Sequence, residues 1–543
     1  MFKLSKQSAI ILALVISVLL LAAAVIACSL LPIYPDEVAY KIFLERYWLN
    51  GGFKQSVTPF CSQGFMYRPP ISLRPAAIFW SLPYFLGQGW LSYRLLPLLS
   101  FSAIASFLLL EGLRRQSKSS ILTVPLICAG PAIYGLIIFR PETFILAFVC
   151  GTLYIFRQLN QHTSAIFLTA WSLLLVFGFS TVAYIHPKAL YLTPFLIVEF
   201  LSLIYLWRHR SHGIALWLIC IAITSTIALQ ATAMHQTQLL HCTEYPSIEA
   251  KMNSQSINLY KASRSLKNLQ QAFDSLTTPE LRKNAFDQLG FKNPPDVGYL
   301  PNLPPSILVD SADLASKITL SSIILLGFLK ISTTFPRFHG LRAIKLFSFM
   351  ALCLALTIPY ILSLTKHWYD AAGFCGGITF ISVVFLNPHS PRNVRRIIAS
   401  LSVLTATLSI AVILSIHDPA FMTGYSGPGV PIHTNRSAVD KVVKQLISKY
   451  HIKANAPLVV DDLTYEAAKD RPIVIPITYL SLGLQNIDSF RSTLDKVGLE
   501  YGIASTPMPH SFWDRAGFKI LETIKIPGDD KTISLFAVKE PTN

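Results

Sequence analysis

The chain has 543 residues, of which 14% are charged and 52% hydrophobic, with a mean hydropathy of +0.48. Soluble domains carry roughly a quarter charged residues, so this composition excludes an ordinary soluble protein and indicates a chain that crosses a membrane repeatedly. The formal net charge of +17 would also suit a nucleic-acid binder, a class that the distribution of the bases argues against.

A hydrocarbon core of about 30 Å needs about 20 apolar residues in a helix, because lipid leaves no partner for open backbone groups. Spans are predicted near residues 8–33, 92–112, 121–139, 143–159, 165–184, 189–207, 214–233, 317–334, 346–364, 371–387 and 397–416, about eleven in all. The stretch 76–90, "AAIFWSLPYFLGQGW", is too short to cross and reads as an interfacial helix. The first run passes "VIAC" at Cys28 and continues through Leu31. That is longer than a signal h-region, so an uncleaved anchor is expected.

The loops placed inside hold Lys3, Lys6, Arg114, Arg115, Lys118, Arg157, Arg208, Arg210, Arg337, Arg342, Lys345, Arg392, Arg395 and Arg396, and no acid. Lys and Arg accumulate on the cytoplasmic side. The N-terminus is therefore expected inside and, after an odd number of spans, the C-terminus outside. The tail after residue 416 balances 14 Lys/Arg against 14 Asp/Glu, so the basicity of the chain is a topology signal. No nucleic-acid partner is expected.

Three large parts are then outside. Residues 34–91 form the first. The second, 234–316, opens with a helical pattern and ends in "KNPPDVGYLPNLPPS". The third, 417–543, begins with the linker "GYSGPGVP", continues helically over 436–451 and carries the β-like runs "APLVVDD", "PIVIPITYL" and "KTISLFAV". It reads as a small extracytoplasmic α/β domain. The expected organisation is a membrane module over 1–416 and a soluble domain over 417–543. Of eight cysteines, only Cys61 and Cys242 fall in outer loops. An oxidising compartment would permit a bridge there, and spacing leaves it open.

Four stretches carry candidate chemistry at the outer boundary. In "YPDEVAYKIFLERYWLNGG", Pro35 suits a first helical position and Gly51-Gly52 a stop. Glu37, Lys41 and Glu45 form an i,i+4 charge stripe. Asp36 lies on another stripe with Tyr40, Phe43 and Tyr47. Both acids complement a helix N-terminus, but the aromatic companions of Asp36 favour a desolvated carboxylate with raised proton affinity, suited to a general base.

In "MYRPPISLRP" two prolines hold the backbone at Arg68 extended, presenting its guanidinium to a phosphate or to lipid headgroups. In "FRPETF", Arg140 and Glu142 either pair with each other or leave Glu142 as a second acid facing a cavity. The connections "YIHPKAL" and "TKHWYDAAG" bring His186, Lys188, Lys366, His367, Tyr369 and Asp370 to the outer side. There they would form an anionic-headgroup site or snorkel. Glu199, inside a span, is either packed on a polar partner or functional.

"YPDEVAY", "NGG", "YRPP" and "LGQGWLSYRLLPLL" follow one another within the first hundred residues. In this order they resemble the GT-C membrane glycosyltransferases, in particular the superfamily of protein O-mannosyltransferases and lipid A aminoarabinose transferases. Asp36 and Glu37 match that family's acidic pair, and Arg94 matches the Arg of its last element. Arg68 stands where the family usually has Lys, and Ile71 where it has Leu.

The resemblance implies an integral protein of the bacterial inner membrane with its site on the periplasmic face. It implies a polyprenyl-phosphate sugar as donor, a hydroxyl of a lipid, glycan or protein as acceptor, and inversion at the anomeric carbon. The roles it suggests are Asp36 as base, Glu142 as second acid, and Arg68, Lys188, Lys366, His186 and His367 around the donor phosphate. Glu37, Tyr40, Arg74, Arg94, Arg140, Tyr369 and Asp370 would be supporting residues. Some family members use a divalent metal. No acidic set beyond Asp36, Glu37 and Glu142 is evident to hold one, so no cofactor is predicted. A lipid-sugar flippase is the rival reading, with polar span ends but no base.

Overall fold

The computed structural model describes residues 6–30, 35–49, 74–87, 89–115, 117–129, 132–161, 164–186, 189, 192–208, 211–238, 306–334, 347–348, 350–352, 371–385, 391–415, 424–427, 430–461, 463–471, 474–476, 499–505, 517–528 and 531–538. By contacts the chain divides into two compact units.

The first unit is helical. In chain order it comprises α1 (Lys6–Leu30), α3 (Arg74–Trp80), α4 (Leu82–Leu86), α5 (Trp90–Arg114), α6 (Lys118–Leu122), α7 (Ala132–Ile137), α8 (Pro141–Gln161), α9 (Ala165–Ile185), α10 (Thr193–Trp207), α11 (His212–Gln238), α12 (Ile307–Thr334), α13 (Ala371–Phe385) and α14 (Arg392–Leu414). Among the described residues, five stretches are long and apolar enough to cross a membrane: Gln7–Ser29, Leu91–Arg114, Pro141–Leu159, Ile166–Ile185 and Arg392–Leu414. The chain is an integral membrane protein.

On α1, Ala13, Ala24 and Ala27 are buried, whereas Leu14, Val18 and Leu19 stand exposed. Small residues let helix backbones approach in lipid, and large apolar ones suit the lipid-facing side. The buried face of α1 lies along α5, and Arg94 Nη1 donates to the Cys28 carbonyl at 2.9 Å.

One expected span is corrected. Residues 121–139 do not form a single helix but α6, a 3-10 turn at Val124–Cys128 and α7. Pro125 and Pro131 lack the N–H that would continue the ladder. The broken segment is tolerated because it is enclosed by protein. Leu126, Ala129 and Ala132 pack into one core with Leu320 and Ile323 of α12, Cys375 and Ile378 of α13 and Ile398 of α14. The stretch 76–90 is likewise divided at Ser81 into α3 and α4. Gly87 then takes φ 150°, a value for which a side chain would be strained, and the chain turns into α5. The predicted span at 346–364 lies largely outside the described residues.

The second unit holds α2 (Pro35–Leu49) and every element from residue 424 onward. Strands β1 (Gly424–Gly427) and β2 (Val430–Asn435) pair as a hairpin. They lead into α15 (Arg436–Lys449), whose N-terminus is capped by Asn435 Oδ1 accepting from Ser437 N at 2.9 Å. Its Val439, Val442, Val443 and Leu446 share one buried face.

The remaining elements are β3 (Leu458–Val460), α16 (Tyr465–Ala468), β4 (Val474–Pro476), β5 (Tyr501–Ser505), β6 (Phe518–Lys525) and β7 (Thr532–Val538). They build a five-stranded sheet in the order β4-β3-β5-β7-β6. β3 runs parallel to β4 and β5, while β7 is antiparallel to β5 and β6. The runs 456–462, 472–480 and 531–538 each contain one of these strands. Asp461, just past β3, accepts from Thr464 N at 2.9 Å and from Ser505 N at 2.7 Å, joining the ends of the two parallel strands.

Candidate active-site residues

Helix α2 begins at Pro35, as the sequence leads one to expect, and carries Asp36 as its second residue. At about 100° per residue, positions 36 and 37 fall on different faces of the helix. The Asp36 side chain, with those of Phe43 and Tyr47, lies outside the described set; Tyr40 is half-buried.

The stripe Glu37, Lys41 and Glu45 is present, but it is not a solvated ladder. Glu37 and Lys41 are 0% exposed and Glu45 is 2% exposed. Lys41 Nζ lies 2.7 Å from Glu45 Oε1 and also pairs with Glu466. The Tyr465 hydroxyl donates to Glu45 Oε2 at 3.0 Å, and Lys469 Nζ lies 3.2 Å from Glu466 Oε2. A continuous chain, Tyr465–Glu45–Lys41–Glu466–Lys469, therefore joins α2 to α16. Buried charges persist only when paired in this way. Nearby on α15, burial raises the Asp440 carboxyl above the ordinary carboxylate range. Lys444 and Arg436 oppose the shift and Glu466 adds to it.

In the first unit, three of the singled-out stretches meet. Trp80 of α3 stacks on Phe139 at 4.7 Å and meets Phe144 of α8 edge-on at 4.9 Å, while Tyr93 of α5 meets Phe139 at 5.4 Å. Between Phe139 and Phe144 in the chain, Arg140 and Glu142 pair in two-pronged fashion, Nε to Oε2 at 3.1 Å and Nη2 to Oε1 at 3.2 Å, both buried. Of the two sequence readings, pairing is the one realised. Arg94 is buried on the Cys28 carbonyl, and Arg74 is exposed at the start of α3.

His186 is half-buried and closes α9, its backbone N–H bonded to the Val182 carbonyl at 3.0 Å. Glu199 accepts from Ser348 Oγ, so it has a polar partner. Arg68, Lys188, Lys366, His367, Tyr369, Asp370, Cys61 and Cys242 lie outside the described residues. Among the described residues, no three His, Cys, Asp or Glu side chains converge as a metal site.

Sequence reasoning missed two sets of residues. Tyr465 and Glu466 have no local signal, since they are 420 and 425 residues from their partners on α2. Glu111, 1% exposed, pairs with Arg157 and, at 3.2 Å, with Arg115, whose Nη1 donates to the Val384 carbonyl at 2.9 Å. This node gathers the C-terminal parts of α5, α8 and α13. Its signal was the one acid beside the Arg114-Arg115 pair.

No protein-family model and no curated protein matches the sequence. Among solved structures, the chain is similar to ArnT from Cupriavidus metallidurans bound to undecaprenyl phosphate, with a TM-score of 0.50 and 12% identity over 99% of this chain and 100% of that one. ArnT from the same organism in the apo state gives 0.46 and 13%, over 99% of each chain. The archaeal oligosaccharyltransferase AglB from Archaeoglobus fulgidus, in complex with an inhibitory peptide and a dolichol-phosphate, gives 0.49 and 10% over 91% of this chain and 69% of that one. The fold shared with undecaprenyl-phosphate-bound ArnT is the GT-C fold that the N-terminal motifs resemble.

Proposed function

We propose that this chain is a membrane glycosyltransferase that moves a hexosyl or pentosyl group from a polyprenyl-phosphate donor to an acceptor hydroxyl, with Asp36 as general base. The observation that carries the reading is the fold shared end to end with an ArnT structure bound to undecaprenyl phosphate. The placement of Asp36 at the start of α2 and the order of the four N-terminal motifs support it.

In the proposed reaction Asp36 takes the acceptor hydroxyl proton. The freed oxygen forms a bond to the anomeric carbon from the face opposite the phosphate, and the carbon–oxygen bond to the phosphate breaks with inversion. The polyprenyl phosphate leaves with the electron pair. Arg68, Lys188 and Lys366, with His186 and His367, would stabilise its growing charge. Because phosphate is a good leaving group, an acid catalyst is not required. Glu142, whose carboxylate is held by Arg140, is given no step of its own.

An inner-membrane location, a catalytic site on the periplasmic face and a boundary near residue 416 belong to the same proposal. The acceptor would be a lipid, glycan or protein hydroxyl. No metal is assigned a role.

Membranes containing the chain, supplied with radiolabelled undecaprenyl-phosphate hexose and pentose donors, test the reading. Transfer is expected with wild type and loss of at least about 100-fold with Asp36→Asn, against near-wild-type transfer with the control Lys449→Met. Equal transfer by wild type and Asp36→Asn rejects the base. Movement of donor between leaflets without any transfer would establish the flippase instead.

A further inference from the structure

We infer that Tyr465 and Glu466 of the C-terminal α/β domain are positioning residues that set the register of α2, and through it the direction of Asp36. The catalytic consequence rests on the function proposed above; the mechanical one does not.

The argument begins with the kind of contact. A helix held by apolar side chains can slide or turn, exchanging one hydrophobic neighbour for another at small cost. Among the described side chains of α2, the buried ones are Glu37, Lys41 and Glu45, with Ile42 and Leu44 beside them. Lys41 is shared between Glu45 of its own helix and Glu466 of α16. Glu45 accepts in turn from Tyr465. Tyr465 is itself 0% exposed, and the preceding Thr464 donates to the Ile503 carbonyl of β5 at 2.9 Å. The far side of the clamp is thereby anchored to the sheet.

Sliding α2 by one residue, about 1.5 Å, also turns it by about 100°. Lys41 would leave Glu466, and buried charge would be left without its counter-ion. Among polar contacts, those that specify register are of this buried kind. Asp36 lies nine positions from Glu45 on the same helix, about 14 Å along its axis. With no proline or glycine between them, that segment transmits rotation as a rigid rod. A base must reach its proton within a few tenths of an ångström, and a displacement near 1 Å can cost about 100-fold in rate.

The experiment uses the full-length chain in lipid nanodiscs, as wild type, Tyr465→Phe, Glu466→Gln, Lys41→Met, Lys41→Met/Glu466→Gln and the control Lys449→Met. Hydrogen exchange of the peptide covering α2 reads the clamp. Turnover of synthetic undecaprenyl-phosphate hexose and pentose donors reads the base. Exchange within α2 should rise in the three clamp single variants and stay unchanged in the control. Turnover should fall about 10- to 100-fold in kcat, with the donor KM within about two-fold. The double variant should recover part of the Lys41→Met loss, because it removes one of the two carboxylates that lose Lys41.

Unchanged exchange in α2 overturns the clamp. Raised exchange with unchanged kcat, or a fall confined to KM, overturns the positioning role. If wild type turns over neither donor while exchange responds as expected, the clamp stands and the proposed function falls.

Discussion

Replacing Lys41 by Met keeps most of the unbranched side chain and removes the ammonium with its charge. The ammonium is fully buried between Glu45 and Glu466, whose side chains are 3% and 13% exposed. At an effective dielectric near 20, one pair at 2.7 Å attracts by roughly 6 kcal/mol before desolvation is subtracted. Removing one partner of a buried pair costs about 3–5 kcal/mol, chiefly because the remaining charge stays buried. The slight exposure of Glu466 places this case near the lower end, at about 3 kcal/mol. Hydrogen exchange in the full chain should therefore show the α2 amides opening roughly 150-fold more often, with α5 and α8 unchanged. The triple variant Lys41→Met/Glu45→Gln/Glu466→Gln leaves no net charge among these three positions and should recover more than half of the loss. Unchanged α2 protection, or a triple variant as labile as the single one, would refute the reasoning.

The same logic applies to Arg140 and Glu142, paired and buried in the first unit. Arg140→Gln or Glu142→Gln alone should cost about 3–5 kcal/mol, and the double variant clearly less than the sum, read from thermal unfolding in detergent. In the C-terminal domain, burial holds the Asp440 carboxyl above its ordinary range. A carboxyl with a raised folded pKa favours the native state most below its unfolded pKa, near 3.9, and that contribution is lost as pH rises through the folded value. Asp440→Asn should therefore raise the melting temperature at pH 7, with the advantage vanishing toward pH 3.

How much was legible follows from the range of each signal. The apolar runs announced the helices at 6–30, 90–114, 141–161, 165–185 and 392–414, because lipid requires continuous apolar helix and leaves its mark on every residue. The run at 121–139 misled for a related reason. It is apolar enough to span, but Pro125 and Pro131 break it, and the protein around it rather than lipid meets the freed backbone groups. The ion stripe on α2 was readable from i,i+4 spacing, yet alternating Glu and Lys ordinarily marks a solvated face. Its burial depends on Tyr465 and Glu466, which no local pattern connects to residues 41 and 45.

The sequence by itself determined the membrane class of this protein, the helical phase separating Asp36 from Glu37, and the order of motifs resembling the GT-C enzymes. These are properties of composition, of 3.6-residue periodicity and of short spacing, all contained in the local chain. Only the tertiary structure decided that Arg140 and Glu142 hold one another, that Glu111 gathers two arginines, and that the Glu37–Lys41–Glu45 face turns inward onto α16. Each of these outcomes requires a buried charge to find a counter-ion, and which counter-ion is within reach is set by the folded chain.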